Sequence, residues 1–394
     1  MTWKIETQVE QRKRFIDLQQ SEDSPGIAAL CREFGICRST AYKWMTRYSV
    51  LGDEGLQDQS KAPKSHPNAI SLEIEQLVIS ARQLHPSWGA KKLLPWLEKK
   101  HPGRDDWPCL GSVSAILERN QLVRSNKKRR LVSRYKSTLS NPSGPNGLWC
   151  IDHKGWWLAN DGNKCEPFTV TDNYSRFLVR CVLCPNKGLE FTRAVLTTAF
   201  HEYGLPEVIR SDNGAPFASR APLGLSALSV WFMRLGILHE RIDPGKPQQN
   251  GSHERMHGTM ERDRTQPIGA TVRQEQKRLN GWRDEFNHER PHEALNLQTP
   301  GSIYTVSPRE MPIRLPDLEY GSAMRVRKVD ICGKIVWQGL PLFLTEALRG
   351  QVLGFEATNE DKIWQVWLSQ MLLGTFNEKR HEMKWATKMT NRMG

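Results

Sequence analysis

The run Leu148-Trp-Cys-Ile-Asp152-His153 sets a carboxylate inside an otherwise apolar stretch that reads as a strand. An acid there is costly, because desolvation disfavours its charged form. It needs a partner, and a metal ion is one. Whatever fold this chain adopts must bring Asp152 to such a partner, and the sequence on either side is read with that demand in mind.

From Gly147 the pattern is α/β. Strands are expected over 148–158, 165–172 and 177–184, with turns at Asn160-Asp-Gly-Asn163 and Asp172-Asn-Tyr-Ser175, and their lengths suit an antiparallel meander. An amphipathic helix over 189–203 ends at Gly204. A short strand over 207–210 runs into Ser211-Asp212-Asn213-Gly214, and a helix over 225–235 precedes a strand over 237–242. Pro244, Gly245 and Pro247 then turn the chain into a polar helix, 249–265, that carries Glu254, and a longer helix over 272–287 follows. In this βββαβαβα order the first and fourth strands can be neighbours, with the polar helix laid over their ends. Alone, Asp212 reads as an Asp-Asn-Gly turn and Glu254 as a surface acid. Together with Asp152 they form a carboxylate set, and acids without His or Cys ligands select hard cations such as Mg²⁺ or Mn²⁺. Two such ions about 3.5–4 Å apart clamp a phosphate, one activating the attacking oxygen and the other stabilising the leaving one. Glu240 and Glu261 are rivals for the third position. No Walker loop, Ser or Cys nucleophile motif or dinucleotide fingerprint is visible, which argues against nucleotide-driven and covalent mechanisms.

The rest of the chain points to a polyanion. Lys plus Arg number 56 against 43 Asp plus Glu, a net charge of +13 over 394 residues. No run is long and apolar enough for a transmembrane helix, and the N-terminus lacks a secretory core, so a soluble, cytoplasmic protein is expected. Cys181-Val-Leu-Cys184 lies in a strand-like run without a second Cys or His pair and reads as buried thiols. Residues 1–55 hold a helix-turn-helix, its second helix opened by Ser24-Pro25 and its third running over 38–48. The exposed face of that third helix offers Arg38, Ser39, Thr40, Lys43 and Arg47, which suits a major-groove reader. A linker over 56–70 leads to a second helical module over 71–123, in which Pro95 should kink or shorten a helix. That module reads equally as a DNA-reading unit or a spacer. A basic linker over 124–146, including Lys127, Lys128, Arg129 and Arg130, suits phosphates. Beyond a catalytic core over 147–305 and a linker over 306–319, short strands over 320–377 suit a small β-barrel-like domain, and a basic tail over 378–394 completes the chain. Lys246, His253, Arg255 and His257 are candidate DNA contacts around Glu254.

The segments Ile151-Asp152-His153, Arg210-Ser-Asp212-Asn-Gly214, Gln249-Asn-Gly-Ser-His-Glu254-Arg-Met-His257 and Phe286-Asn-His-Glu-Arg-Pro-His-Glu-Ala-Leu295 resemble those of bacterial insertion-sequence transposases with a retroviral-integrase-type (DDE) core. The resemblance covers about 147–305 and, more loosely, the helix-turn-helix region. It implies an RNase H-like fold, Mg²⁺-dependent cleavage at the ends of a mobile element, attack of the freed 3′-hydroxyl on target DNA, and at least a dimer on double-stranded DNA. A catalytically silent DNA-binding regulator and a hydrolytic nuclease of the same fold are the alternatives. The interval from Asp212 to Glu254 is longer than is typical of such cores, and the Ala/Gly/Leu/Ser-rich stretch 219–229 is expected to hold the excess.

Overall fold

The computed structural model describes residues 7–60, 69–123, 139–264 and 268–391. Contacts divide the chain into two units, Met1–Ala69 and Ile70–Gly394.

The first unit is a three-helix module of α1 (Gln8–Gln20), α2 (Ile27–Glu33) and α3 (Arg38–Leu51). Thr7 and Glu10 close α1 with a reciprocal capping box, which satisfies backbone donors that the helix itself cannot. Helix α2 begins three residues after the expected Ser24 cap, because Gly26 takes a positive φ of 83° and becomes the cap itself. Phe15, Ile16, Leu30, Ala41 and Trp44 make the core, with Arg12 lying 3.9 Å above the Trp44 ring.

The second unit opens with α4 (Leu72–Leu84), α5 (Ala90–Lys100) and α6 (Leu110–Arg119), packed through Val78, Trp88, Leu93 and Val113. Pro95 does not break α5. The helix loses one backbone donor there, and Leu93, Leu94 and Leu97, all buried, hold it together.

The central sheet has the order β5-β4-β1-β6-β7. Its strands are β1 (Leu148–His153), β4 (Pro167–Asp172), β5 (Leu178–Leu183), β6 (Val208–Ser211) and β7 (Leu238–Arg241), with a small hairpin of β2 (Trp157–Leu158) and β3 (Lys164–Cys165) between the first two. The long first strand expected over 148–158 is therefore two strands broken at 154–156. β1 pairs antiparallel with β4 and parallel with β6. Helix α7 (Leu189–Tyr203) lays Leu196, Ala199 and Phe200 on the sheet, and α8 (Ala227–Arg234) adds Trp231 and Phe232 to the same core. Helices α9 (Gly251–Asp263) and α10 (Val272–His288) pack Met256, Met260, Leu279 and Phe286 with Leu178, Cys181 and Leu183. The core is an RNase H-like fold, with helical modules before it and an antiparallel sheet domain after it.

Segment 306–319 is more than a linker. After the short helix α11 (Pro300–Ile303), Leu205 N donates to the Arg309 carbonyl at 2.6 Å, and the Arg309 guanidinium donates to the carbonyls of Pro206, Leu235 and Gly236. The last domain holds β8 (Arg325–Lys328), β9 (Lys334–Trp337), β10 (Leu340–Phe343), β11 (Val352–Ala357), β12 (Ile363–Leu368), β13 (Met371–Asn377) and β14 (Glu382–Asn391). Residues expected as a basic tail thus supply β14, which pairs along β13. The stretch 219–229 is packed. Leu225 and, from α8, Val230 and Met233 enter one core with Leu348, Leu353 and Phe355 of the last domain.

Candidate active site

The register of the sheet explains how two distant aspartates meet. Leu148, Trp149 and Cys150 of β1 lie opposite Val208, Ile209 and Arg210 of β6. Continuing that parallel register by two residues sets Asp212 alongside Asp152. Gly214 N donates to Asp212 Oδ1 at 3.0 Å, and Asn213 Nδ2 donates to the Ile242 carbonyl at 2.7 Å, which ties the loop to the end of β7. The Asp-Asn-Gly turn and a carboxylate at the strand end are thus the same structure.

Helix α9 brings Glu254. The helix is anchored from below by the two histidines that flank the acid. His253 shares hydrogen bonds with Thr169 Oγ1 and Thr171 Oγ1, both at 2.7 Å, and His257 Nε2 meets Thr169 Oγ1 at 2.8 Å. Thr169 has one hydroxyl proton, which it donates to the Asp152 carbonyl. Both imidazoles therefore donate to Thr169 through Nε2, and Nδ1 of His253 accepts from Thr171. Burial keeps both rings neutral, with His257 held down to about 4. His253 and His257 are buried, which corrects their expected role as DNA contacts: they face the sheet rather than solvent. Spaced four residues apart on one helical face, they leave Glu254 exposed on the flank of that face, within reach of Asp152.

The charges of Asp212 and Glu254 act on Asp152, and Lys187 offsets them only weakly. Burial raises the Asp152 carboxyl to about 7, and the nearby charges of Asp212 and then Glu254 push it the same way. Glu254 has no hydrogen-bond or ion-pair partner among the described residues. The rivals for its position are committed elsewhere. Glu240 accepts from Arg210 Nε and Nη2 at 2.9 and 2.7 Å, and from Ser140 N at 2.8 Å. Glu261 pairs with Lys154 at 2.7 Å. Among the described residues, the one group of three possible ligands whose atoms all lie within 4.8 Å of one another is Asp152 with His253 and His257, not the three carboxylates. Both ring nitrogens of His253 are already engaged there, so the carboxylate set suits a hard cation better.

Of the other expected contacts, Arg38, Ser39 and Lys43 are exposed on α3 and Thr40 is half-buried. Arg47 is partly spent on the fold, stacking 4.7 Å from the Trp44 ring and donating to the Gln57 carbonyl. Arg255 is exposed on α9, and Lys246 pairs with Asp243 at 3.1 Å. Lys127, Lys128, Arg129 and Arg130 lie outside the described residues. Asp172 keeps its turn role: it is buried and accepts from Asn146 N, Ser175 N and Ser175 Oγ. Thr169 and Thr171 escaped notice because, in sequence, they are two polar residues on an ordinary strand. Their signal was the alternation Thr169-Val-Thr171 opposite a His-x₃-His helix.

Residues 142–247 and 235–300 match models of the integrase core domain, and residues 324–384 match the C-terminal domain of IS481 family transposases. The matched segments are similar to the integrase core and C-terminal domains of insertion-sequence transposases. Residues 11–64 match a helix-turn-helix domain and 40–117 a homeodomain-like domain. An uncharacterized 31.7 kDa protein of insertion element IS407 from Burkholderia multivorans is 32% identical over 184 residues, 46% of this chain and 63% of the relative. An uncharacterized 39.2 kDa protein of insertion element IS476 from Xanthomonas euvesicatoria is 25% identical over 240 residues, 60% of this chain and 66% of the relative. The chain spans just under two thirds of the length of these relatives. Among solved structures, a chain of the simian T-cell lymphotropic virus intasome in complex with PP2A regulatory subunit B56 gamma is 15% identical, with a TM-score of 0.35. That alignment covers 79% of this chain and 98% of the other. Among the described residues, no helix is long and apolar enough to cross a membrane.

Proposed function

We propose that this chain is a DNA transposase that binds the ends of a mobile element, cleaves at their 3′ ends and joins those ends to target DNA. The observation that carries the proposal is the convergence of Asp152, Asp212 and Glu254 at one end of an integrase-type sheet, close enough that the second and third acids raise the carboxyl of the first. Three acids whose nearest offsetting charge, Lys187, acts only weakly on Asp152 suit Mg²⁺ or Mn²⁺, and the same three residues are the proposed ligands. When bound, such ions supply positive charge to a phosphate and ease deprotonation of the attacking water or hydroxyl.

The protein's own residues set the geometry. Asp152 is fixed by β1 and Asp212 by its strand-end turn. Glu254 is fixed by the two histidines that pin α9 to β4. No side-chain nucleophile is required: water attacks the phosphorus at the end of the element and the 3′-oxygen leaves as a hydroxyl, and that hydroxyl then attacks a target phosphorus and displaces the 3′-oxygen of the target strand. The exposed face of α3, with Arg38, Ser39, Thr40 and Lys43, supports recognition of the element ends. Joining two ends calls for at least a dimer on DNA, and a soluble protein in the bacterial cytoplasm suits that substrate.

The test uses the purified chain with Mg²⁺ or Mn²⁺ and duplexes that carry the ends of the element. Asp152→Asn, Asp212→Asn and Glu254→Gln should each abolish cleavage and joining while end binding remains. Glu240→Gln and Glu261→Gln should keep both reactions. Full activity in Glu254→Gln would overturn the third acid. Cleavage without joined products, when free 3′-hydroxyl ends are supplied, would make the protein a hydrolytic nuclease instead.

A further inference from the structure

Beside α9, reaching the end of β4 at Thr171 and Asp172, lies a groove of about 730 Å³. Glu254 is on its wall, and so are five cationic side chains: Arg255 and Arg262 from α9, Arg176 from the turn after β4, Arg290 from the turn after α10, and Lys92 from α5. Only the last comes from the second helical module. The other acids of the lining are accounted for: Asp172 is satisfied by Asn146 and Ser175, and Glu293 faces Lys91 at 3.7 Å.

Lys92 is the informative member. It is half-buried, and among the described residues it has neither a hydrogen bond nor an ion-pair partner. Burial lowers its pKa to about 8 and the like charge of Arg290 adds to that, while Glu293 and Asp263 oppose the shift and Arg262 adds a little to it. A half-buried, unpaired ammonium beside two guanidinium groups opposes folding. Nothing in the packing of α5 demands it, since the helix buries Leu93, Leu94 and Leu97 on its other face. Arg290 is held in place by Asp263, whose Oδ2 accepts from Arg290 Nη1 at 2.6 Å and from Trp282 Nε1 at 3.1 Å. Ser87, just ahead of α5, donates to the other oxygen of the same carboxylate. His85 meets Glu285 at 3.0 Å, and Trp96 Nε1 donates to Glu289 at 3.3 Å. The module is thus docked on the core in the one orientation that points Lys92 into the groove.

We propose that this groove holds the sugar–phosphate backbone of a DNA strand leading to or from the acid site, and that the second helical module completes it with Lys92. Glu254 lines the same groove as the cations, so a strand whose reacting phosphate lies at that acid can place neighbouring phosphates against them. The reading depends on the transposase assignment for the identity of the polyanion. It settles a choice the sequence leaves open: the module is a wall of the substrate site rather than a spacer.

The experiment measures binding of the full chain to a random-sequence duplex, blunt or with a 3′ overhang, across a salt series. Lys92→Met and Arg262→Gln should each reduce the slope of log affinity against log salt by about 0.9, the share of one phosphate contact. The pair should reduce it by the sum. Lys92→Met should also raise the thermal midpoint, because it keeps the aliphatic stem and removes the charge. The same slope changes should appear in an Asp152→Asn background, so a failure of the cleavage reading leaves this test intact. A larger loss on the overhang duplex assigns the groove to the processed strand, and an equal loss on both assigns it to flanking DNA. Either outcome supports a DNA groove. Unchanged slopes, or a lowered midpoint in Lys92→Met, would overturn it.

Discussion

Replacing Asp152 with Asn should make the metal-free protein more stable, not less, and the gain should depend on pH in one direction. The carboxyl sits at about 7 instead of its ordinary 3.8. The folded state therefore holds this proton more tightly than the unfolded state does. Below 3.8 both states are protonated and the site costs nothing. Between 3.8 and about 7 the unfolded chain releases its proton first, and the cost to folding grows. Above that window it is complete, and at 1.36 kcal/mol per tenfold change in acidity it reaches about 4 kcal/mol. Asp152 keeps 24% of its side-chain surface exposed, so this figure is an upper bound. Asn has the same shape and no charge. In chelator-treated buffer, the variant's melting temperature should exceed the parent's by several degrees at about pH 8, and the gap should close toward about pH 4. Mg²⁺ or Mn²⁺ should then stabilise the parent more than the variant, since the ion relieves the same repulsion. Equal melting curves at about pH 8, or a gap that widens as pH falls, would refute the claim that burial and the neighbouring acids oppose ionisation of Asp152 in the fold.

Two further outcomes follow from the packing around the site. Arg290→Met leaves the Asp263 carboxylate buried without its cation; the side chains of that pair are only 4% and 10% exposed. It should cost about 3–5 kcal/mol by chemical denaturation, and a loss under about 1 kcal/mol would mean that the pair is not buried in solution. On the first unit, Arg38→Ala and Lys43→Ala should weaken binding to element ends more than to random DNA of equal length. Equal loss on both, read by anisotropy, would leave these residues as phosphate contacts only.

Much of this protein is written in local pattern. Helix α7 keeps the bounds its apolar stripe predicts, and α10 differs from its pattern by one residue, because a face that must be buried repeats at the helical period whatever it is buried against. The acid in an apolar strand, the acid before Asn-Gly and the acid on a polar helix could all be picked out for the same reason: each breaks its local pattern. What local pattern does not carry is the identity of the partner. Glu240, Glu254 and Glu261 are alike in sequence. They part company only because Arg210 and Lys154 reach two of them across the fold and nothing among the described residues reaches the third. His253 and His257 look like solvated neighbours of an acid until Thr169 and Thr171, more than eighty positions earlier, are placed beneath them. The stretch 219–229 looks like slack, yet it carries Leu225 into the core of the last domain. Lys92 becomes part of a groove only once the second module docks. Burial at a given period is a property of one segment and can be read from it. Pairing, docking and the crowding of charges depend on residues far apart in sequence, and only the tertiary structure brings those together.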